Sequence, residues 1–447
     1  MEKLNITFCS TPDYTGNAKE LYNYMIDKYK DKMNFIWAVK SDEKKELLKQ
    51  KNIKSVVIGT DEFKKQMKKT DVFFTTHCNL TGDINKKSLY IELWHGVSSK
   101  KLGFMMNNIS EQDSSWYDSL SYSIDYFIVP SEFWKLIFAC RFRLDLKQIL
   151  PIGYPKLKNI KNKDAKKNLE QIIDCKLDKY KKIIFYTPTF RKGCGRKGDS
   201  KFGKNILNLE EYDEKELEKY LEKNKYLLCI KKHPSEESNF LNKFKNTDNI
   251  KLIKEEYLSK AGYDIYNILD AADVLITDYS SLGMEFLYLN KNVIYLDTDK
   301  EEYMKNRGIC YENFDFWTSN TGVSKYDDFI KLIDKYLKDD KFLFQEKKEM
   351  FFGNIKDGGC KDICDYFFTA DGRIKEGITR IDNINRRYKS MELKYLKEES
   401  KKKQYEELYK LKEKELKDIY NSKAWKLAEK LRKIKKKIFR WGKIWRI

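Results

Sequence analysis

The sequence predicts an α/β protein in which two tandem doubly wound, Rossmann-like domains face each other across a cleft, followed by a long, basic α-helical tail. Three observations predict this fold. Short apolar runs alternate with amphipathic helical segments over residues 1–370, as expected for parallel sheets covered by helices on both faces. The alternation restarts after a stretch rich in Lys, Asn and Asp at 156–170. Residues 381–420 are dominated by Lys, Glu, Tyr and Leu, which is typical of a long solvated helix.

Residues 1–160 form the predicted first domain. A strand at Leu4–Cys9 precedes a helix at about 17–29, which carries apolar side chains at helical spacing. The other predicted strands of this domain are Phe35–Val39, Ser55–Ile58, Asp71–Thr75, Leu89–Trp94 and Tyr126–Val129. Ligands of such sheets bind beyond the carboxyl ends of the strands, so the residues that follow each strand are the first candidates for a site.

Residues 161–370 form the predicted second domain, which repeats the pattern. Its predicted strands are Ile183–Thr187, Tyr226–Ile230, Ile250–Ile253, Val274–Thr277 and Val293–Leu296. Helices are predicted near 213–223, 265–271, 280–289 and 326–338. A charged helical segment at 371–422 and a basic amphipathic helix at 423–447 complete the predicted organisation.

Composition limits the class of protein. At 447 residues the chain exceeds one ordinary core, which favours two domains and an appendage. The nine cysteines are scattered and form no Cys-x-x-Cys pair, so neither a zinc site nor a disulfide framework is indicated. The sequence shows neither a signal-peptide core nor an apolar run that would span a bilayer, so we expect a cytoplasmic protein.

One strand end combines an acidic residue with two hydroxyls. A buried run ends at Thr277, and Asp278, Ser280 and Ser281 then lead into a helix. The unpaired N–H groups of a helix start and two serine hydroxyls suit a phosphate. Glu285 follows Ser281 by one helical turn, where a carboxylate could accept ribose hydroxyls. The alternative is an ordinary serine N-cap on a structural helix.

Two other strand ends of the second domain carry cations. Arg191 follows one strand, and its planar fork suits a phosphate. Lys231 and Lys232 stand beside His233 at the end of another. The alternatives are a surface arginine and a half-buried structural histidine. Parallel strands bring these ends to one rim, which favours the phosphate-binding interpretation over both alternatives.

The first domain contributes a candidate base. Only three histidines occur, and His95 stands where an apolar run meets Gly96, with Lys100 and Lys101 further along the same loop. Histidine suits proton transfer near neutral pH, and the lysines would neutralise phosphate charge. A histidine buried in the core is the alternative. His77 also follows a strand but has no basic or glycine-rich context, so it ranks lower.

The C-terminal segment has an apolar stripe at alternating spacings of four and three residues. The stripe consists of Leu427, Leu431, Ile434, Ile438, Trp441 and Trp445. Residues 423–447 also hold eleven Lys/Arg and one Glu, which is half of the net charge of +20. A basic amphipathic helix of this kind suits an anionic membrane surface. Packing on the protein itself and nucleic-acid binding are the alternatives, and the weak heptad at 381–420 allows self-association.

Together, these segments resemble the CDP-glycerol glycerophosphotransferase family of teichoic-acid and capsule polymerases, which have a two-domain GT-B type fold. The resemblance covers roughly residues 85–368. It rests on the motifs Trp94-His95-Gly96, Gly153-Tyr154-Pro155, Thr187-Pro188-Thr189-Phe190-Arg191, Lys231-Lys232-His233-Pro234, Thr277-Asp278-Tyr279-Ser280-Ser281 and Asp357-Gly358. Two positions depart from the family pattern: Val97-Ser98 replaces Thr-Pro after the histidine, and Thr321-Gly322 replaces a Pro-Gly pair.

The resemblance implies roles for several of these residues. His95 would be the catalytic base and His233 a contact of the donor phosphates. Arg191, Ser280 and Ser281 would bind the diphosphate. Asp278 and Glu285 would shape the nucleotide pocket.

The resulting hypothesis is a transferase that moves glycerol phosphate or ribitol phosphate from a CDP-alditol to a membrane-linked polymer hydroxyl and releases CMP. No obligatory metal or other cofactor is expected, because no carboxylate cluster has metal-ligand spacing. The enzyme would lie on the inner face of the membrane, with no nucleic-acid partner. The alternatives are a nucleotide-sugar-dependent glycosyltransferase of the same fold and a non-catalytic membrane scaffold.

Overall fold

The computed structural model describes residues 2–77, 88–189, 205–231, 246–339, 341–378 and 384–442. The chain consists of a first compact unit, residues 1–382, and a second unit, residues 383–447. Within the described residues, the first unit contains two fully parallel sheets, of seven and six strands. The predicted α/β class with parallel sheets and a helical C-terminal region is confirmed.

The first sheet has the order β3-β2-β1-β4-β5-β6-β7. Its strands are β1 Leu4–Cys9, β2 Met33–Val39, β3 Ser55–Val57, β4 Val72–Thr75, β5 Leu89–Glu92, β6 Tyr126–Ile128 and β7 Ile149–Leu150. The helices of this region are Gly16–Tyr29, Asp42–Gln50, Asp61–Lys69, Glu111–Ser123 and Glu132–Phe142. The two-residue edge strand β7 is too short to give a sequence pattern and was not predicted.

The second sheet has the order β10-β9-β8-β11-β12-β13. Its strands are β8 Lys182–Tyr186, β9 Tyr226–Lys231, β10 Ile250–Ile253, β11 Val274–Thr277, β12 Val293–Leu296 and β13 Gly322–Val323. The helices are Ala165–Ile173, Glu214–Asn224, Glu255–Ala261, Ser281–Phe286, Lys300–Asn306, Phe314–Thr318, Tyr326–Lys338, Gln345–Phe352 and Cys360–Phe367.

The helix predicted at 265–271 is wrong. The segment forms two short 3-10 turns, Ile265–Asn267 and Leu269–Ala271. The Asp264 carboxylate accepts the Tyr266 N–H at 2.9 Å, and the Asn267 side chain accepts the Asp264 N–H at 2.9 Å. These local side-chain bonds compete with the helical pattern and hold the chain in a turn.

The last helix of the first unit returns to the first sheet. Cys360, Ile363, Cys364 and Phe367 are buried in the same core cluster as the β1 residues Ile6 and Phe8. The predicted second domain includes residues 360–367, and no pattern in the sequence indicates this return to the first sheet. The proposed boundaries at residues 160 and 370 stay a prediction, since the two sheets form one compact unit.

The second unit consists of two helices, Ile384–Asn421 and Lys423–Gly442. Ser422 separates them, and its hydroxyl accepts the Trp425 N–H at 3.2 Å. The described part of the predicted stripe is exposed, with Leu427 at 60%, Leu431 at 58% and Ile434 at 53%. The side chains of Ile438, Trp441 and Trp445 lie outside the described residues, and self-association of this unit stays a prediction.

Candidate active site

The loop after β5 holds its histidine in a fixed turn. Asn17 Nδ2 donates to the carbonyl oxygens of Leu93 and Trp94, each at 2.9 Å. Trp94 has a left-handed backbone with φ of 53°, and its N–H donates to the buried Glu92 carboxylate at 2.7 Å. The left-handed backbone region is unfavourable for a bulky residue such as Trp94. The hydrogen bonds from Asn17 and to Glu92 therefore stabilise the turn that presents His95.

The protonation of His95 follows from its neighbours. His95 Nδ1 lies 3.2 Å from the Thr76 carbonyl oxygen, which can only accept, so Nδ1 carries the proton and Nε2 is the basic nitrogen. His95 is solvent-exposed, but the rings of His77 and Trp94 lie against its imidazole and partly desolvate it. This desolvation lowers the His95 pKa from 6.5 to about 4; the bond to Thr76 opposes the shift, and Lys156 and Arg141 add to it. His95 is neutral at pH 7, the state that accepts a proton.

Gly96 brings this loop against the second sheet. A Cβ at Gly96 would lie 3.5 Å from Ser281 Oγ, 3.7 Å from Tyr154 Oη and 3.9 Å from Glu285 Oε1. These are contact distances, so the loop lies directly against the helix that follows β11. Gly96, which follows His95, and Ser281 therefore follow strands of different sheets and meet beyond the carboxyl ends of β5 and β11.

A buried charged network centred on Glu285 adjoins the loop. The Glu285 side chain is inaccessible to solvent, and its Oε1 lies 2.7 Å from both Lys156 Nζ and Tyr154 Oη. Its Oε2 accepts the Tyr266 hydroxyl. Burial and the neighbouring carboxylate raise the pKa of both tyrosines well above 10, so both hydroxyls stay protonated and donate. The carboxylate is thus paired and hydrogen-bonded on both oxygens.

Lys156 connects this network to the histidine loop. Its Nζ donates to the His95 carbonyl oxygen at 2.9 Å and to Tyr266 Oη at 2.7 Å. Its backbone N–H donates to Asn17 Oδ1 at 3.0 Å. Asn17, which also holds the loop, is therefore bonded to the same lysine. The network fixes the backbone on both sides of His95.

Thr277 and Asp278 hold the neighbouring strand end. Thr277 Oγ1 donates to the Thr187 carbonyl oxygen at 2.7 Å. Both Asp278 carboxylate oxygens accept the Thr189 N–H at 3.0 Å. These bonds fix the loop that follows β8 and leads to Arg191. The predicted nucleotide-pocket role of Asp278 stays a prediction.

Ser280 and Glu285 have contacts that differ from those expected. Ser280 Oγ accepts the Leu282 N–H at 3.3 Å, so Ser280 is the N-cap of the short helix Ser281–Phe286. Glu285, for which a ribose contact is predicted, is instead bonded to Lys156 and two tyrosines, as described above. Phosphate binding by Ser280 and Ser281 and the ribose contact of Glu285 stay predictions.

Lys100 and Lys101 pair with a loop of the second sheet. Lys100 forms an antiparallel bridge with Ile309, and the Lys101 N–H donates to the Gly308 carbonyl oxygen at 3.1 Å. The Lys101 ammonium donates to Asn107 Oδ1 at 2.8 Å. The backbone after His95 is thus attached to the second sheet, and an acceptor-side role for these lysines stays a prediction.

The remaining predicted residues follow β8 and β9 in the sequence. Lys231 Nζ lies 2.8 Å from Glu255 Oε2. Arg191 and His233 lie outside the described residues. Their predicted roles at the donor phosphates are unchanged.

Several residues of the site were not predicted. Lys156 directly follows the Gly-Tyr-Pro motif, and this adjacency was the signal available in the sequence. Asn17 and Tyr266 stand in ordinary helical and turn sequences, which mark neither residue. Arg141 is fully buried and donates to the Lys100 carbonyl oxygen at 2.9 Å, yet it looks like any helical arginine in the sequence.

Two parallel α/β sheets within one compact unit are the two-sheet architecture of GT-B type proteins. Residues 1–355 match the family model described as CDP-Glycerol:Poly(glycerophosphate) glycerophosphotransferase. The chain belongs to this family and is an enzyme of the CDP-alditol phosphotransferase type.

Two relatives agree with this assignment. The chain is 30% identical over 315 residues to the teichoic acid glycerol-phosphate primase of Bacillus subtilis, covering 66% of this chain and 75% of the primase. It is 27% identical to the ribitol-phosphate polymerase TarL of Staphylococcus aureus, covering 73% of this chain and 55% of TarL. The chain thus spans three quarters of the first relative and about half of the second.

The fold is similar to that of two solved proteins. The wall teichoic acid polymerase TagF has a TM-score of 0.61 at 21% identity, covering 82% of this chain and 88% of that one. The UDP-GlcNAc 2-epimerase of Methanocaldococcus jannaschii has a TM-score of 0.51 at 14% identity, covering 81% and 98%. Both likenesses concern the two-sheet architecture.

Proposed function

We propose that this chain transfers glycerol phosphate or ribitol phosphate from a CDP-alditol to a hydroxyl of a membrane-linked teichoic acid or capsular polymer, releasing CMP. Family membership supports the phosphotransfer, and relatives named for glycerol-phosphate and ribitol-phosphate transfer support the group moved. The observation that carries the proposal is the neutral His95, held with Nε2 unprotonated where the two sheets meet.

The proposed chemistry is a single displacement at phosphorus. The acceptor oxygen bonds to the β-phosphorus, the bond from that phosphorus to the bridging oxygen breaks, and CMP leaves. Nε2 of His95 takes the hydroxyl proton and then releases it to water. The donor's negative charge favours the protonated form of a nearby histidine, so donor binding raises the His95 pKa from about 4 toward the operating pH. That no metal is obligatory stays a prediction.

The central test is CMP release from CDP-glycerol and CDP-ribitol by the full chain and by His95→Ala. Removing a general base lowers turnover by roughly 10²–10⁴-fold. Lys64→Ala is the matched control, because Lys64 is exposed and belongs to a helix of the same sheet. Equal turnover by His95→Ala and the control, with equal thermal midpoints, would refute the assignment of the base.

A donor screen separates the proposal from a glycosyltransferase of the same architecture. A ligand that binds only the folded state raises stability, by about 2.7 kcal/mol at a concentration one hundred times its Kd. We expect a CDP-alditol to raise the thermal midpoint more than UDP-sugars do. The reverse order would favour sugar transfer.

Membrane attachment through residues 423–447 is the second part of the proposal. The exposure of Leu427, Leu431 and Ile434 supports it, because an unpartnered apolar stripe beside many lysines suits an anionic bilayer surface. Within the described helices, none is long and apolar enough to cross a bilayer. The proposed attachment is therefore peripheral.

Flotation with anionic and neutral liposomes tests the attachment. The triple variant Leu427→Asp, Leu431→Asp and Ile434→Asp should remain at the bottom of the gradient, whereas the full chain rises with anionic vesicles. Leu411→Asp, an exposed leucine of the long helix, is the control. Equal flotation of the triple variant would contradict the proposal.

A further inference from the structure

The third histidine lies directly against the first candidate base. The ring centroids of His77 and His95 are 4.1 Å apart, and the ring planes differ by 15°. The adjacent strands β4 and β5 are parallel, so the residues that follow them leave the sheet side by side. His77 thus belongs to the site, although its sequence context gave no indication of a role.

Thr76 holds both rings at once. Its carbonyl oxygen lies 3.2 Å from His95 Nδ1, and its hydroxyl lies 2.8 Å from His77 Nδ1. Thr76 is itself buried. One residue therefore fixes the tautomer of His95 through its backbone and the orientation of His77 through its side chain. Trp94 contacts His95 as well, at a centroid distance of 4.3 Å.

We propose that His77 is a positioning residue, whose ring packs on the His95 imidazole and keeps it in the orientation in which Nδ1 bonds to Thr76 and Nε2 receives the proton. This inference rests on the proposed function, in which His95 is the base. A base must hold its acceptor nitrogen toward the reacting hydroxyl, and small misplacements of such groups reduce turnover strongly. Without His77, one face of the His95 ring would be open and the ring could turn.

An imidazole is better suited to this place than other side chains. Its edge bonds to the Thr76 hydroxyl, while its face packs on His95. A permanent cation at this position would oppose the positive charge that His95 acquires. Among the described residues, the charged groups near the two rings are Lys40, Lys156, Arg141 and Glu92. Three of the four are cations, so a neutral ring at residue 77 avoids a further positive charge.

The test combines turnover with a direct observation of the rings in the full chain. The three histidines give few signals after selective ¹⁵N labelling, so the tautomer and titration of each ring can be followed. We expect His77→Ala to lower kcat about tenfold or more, with KM for CDP-glycerol unchanged. The His95 signal should change from the single Nδ1-protonated tautomer to a mixture, and its titration midpoint should shift.

His77→Phe is the matched variant, because it keeps a ring on His95 and removes only the bond to Thr76. It should recover most of the turnover and the single His95 tautomer. Unchanged turnover and an unchanged His95 signal in both variants would overturn the proposal. Loss of turnover in both variants with an unchanged His95 signal would also overturn it, since His77 would then act on the substrate itself.

The two hypotheses fail separately. If the full chain releases no CMP from either CDP-alditol, the proposed function is wrong, but the ¹⁵N spectra still show whether His77 controls the His95 ring. If CMP is released and His95 is unaffected by either variant, only the positioning role is wrong. The thermal midpoint of each variant shows whether the fold is retained.

Discussion

Charged side chains have opposite surroundings in the two units of the molecule. Lys156 and Glu285 pair at 2.7 Å with side chains that are 5% and 0% exposed. Lys433 and Glu429 pair at 3.6 Å with side chains that are 75% and 57% exposed. Desolvated charges must be fully bonded, so the first pair determines local structure. The second pair is solvated and contributes little, which leaves the tail charges available to an anionic surface.

The largest expected effect comes from removing the buried cation. Lys156→Ala leaves the Glu285 carboxylate buried without its partner and should lower the free energy of unfolding by about 3–5 kcal/mol. Urea denaturation measures the change. A loss below about 1 kcal/mol would mean that the network is not desolvated as the structure indicates. The double variant Lys156→Met with Glu285→Leu should recover much of the loss, because neither charge then remains buried.

Removing one hydroxyl of the same network sharpens the comparison. Tyr266→Phe deletes a donor to Glu285 and should lower the free energy of unfolding by about 1–3 kcal/mol. Tyr257→Phe is the control, because Tyr257 is 39% exposed. If urea denaturation gives equal changes in the free energy of unfolding for the two substitutions, burial does not determine how much these hydroxyls stabilise the fold.

Acid should weaken the first unit through its histidines. Desolvation lowers the pKa of His95 to about 4 and that of His77 to about 3, whereas both titrate near 6.5 when unfolded. Below pH 6.5 the unfolded chain binds protons that the folded chain does not, so stability present above pH 6.5 is lost as the pH falls toward 4. Solvent screening reduces both contributions, because His95 is exposed and His77 is partly exposed, so we expect a loss of about 1 kcal/mol.

Thermal unfolding between pH 7 and pH 4 measures this loss. The His77→Phe variant carries one titrating ring fewer and should lose less stability over the same interval. An identical pH dependence in the two proteins would contradict the assignment of the loss to this histidine pair.

The smallest effect is expected in the tail. Lys433→Ala removes an exposed pair four residues apart on a helix and should change the free energy of unfolding by less than about 0.5 kcal/mol. Its effect should appear instead in liposome flotation, as weaker binding to anionic vesicles. A destabilisation comparable to that of Lys156→Ala would remove the distinction between the two regions.

Local patterns predicted much of the fold. The strand at Val274–Thr277 is a buried apolar run that ends at polar residues, and such runs are visible without tertiary information. The contact between Gly96 and Ser281 lies beyond the carboxyl ends of parallel strands, where site residues of such sheets are expected. The helix expected at 265–271 was wrong because side chains of Asp264 and Asn267 bond locally to the backbone, which periodicity does not register.

The partners of the site residues were harder to predict. The Lys156–Glu285 pair joins residues far apart in the chain, so no local pattern marks either of them as a partner of the other. The same holds for His77, whose role depends on a ring contributed by the next strand. Sequence patterns indicated which residues follow the strands; only the tertiary structure shows which of them touch.

The return of helix Cys360–Phe367 to the first sheet has a consequence for biosynthesis. The segment that leaves the first sheet after β7 packs closely on the segment that returns to it. A Cβ at Gly359 would lie 2.4 Å from the Ile152 carbonyl oxygen, and the Tyr154 N–H donates to the Gly358 carbonyl oxygen at 2.8 Å. The ribosome delivers β1 first, but the core around it is complete only when residue 368 has emerged. At a synthesis rate of about 5–20 residues per second, the core of the nascent first sheet stays incomplete for tens of seconds. During that time it exposes apolar surface of the kind that chaperones bind.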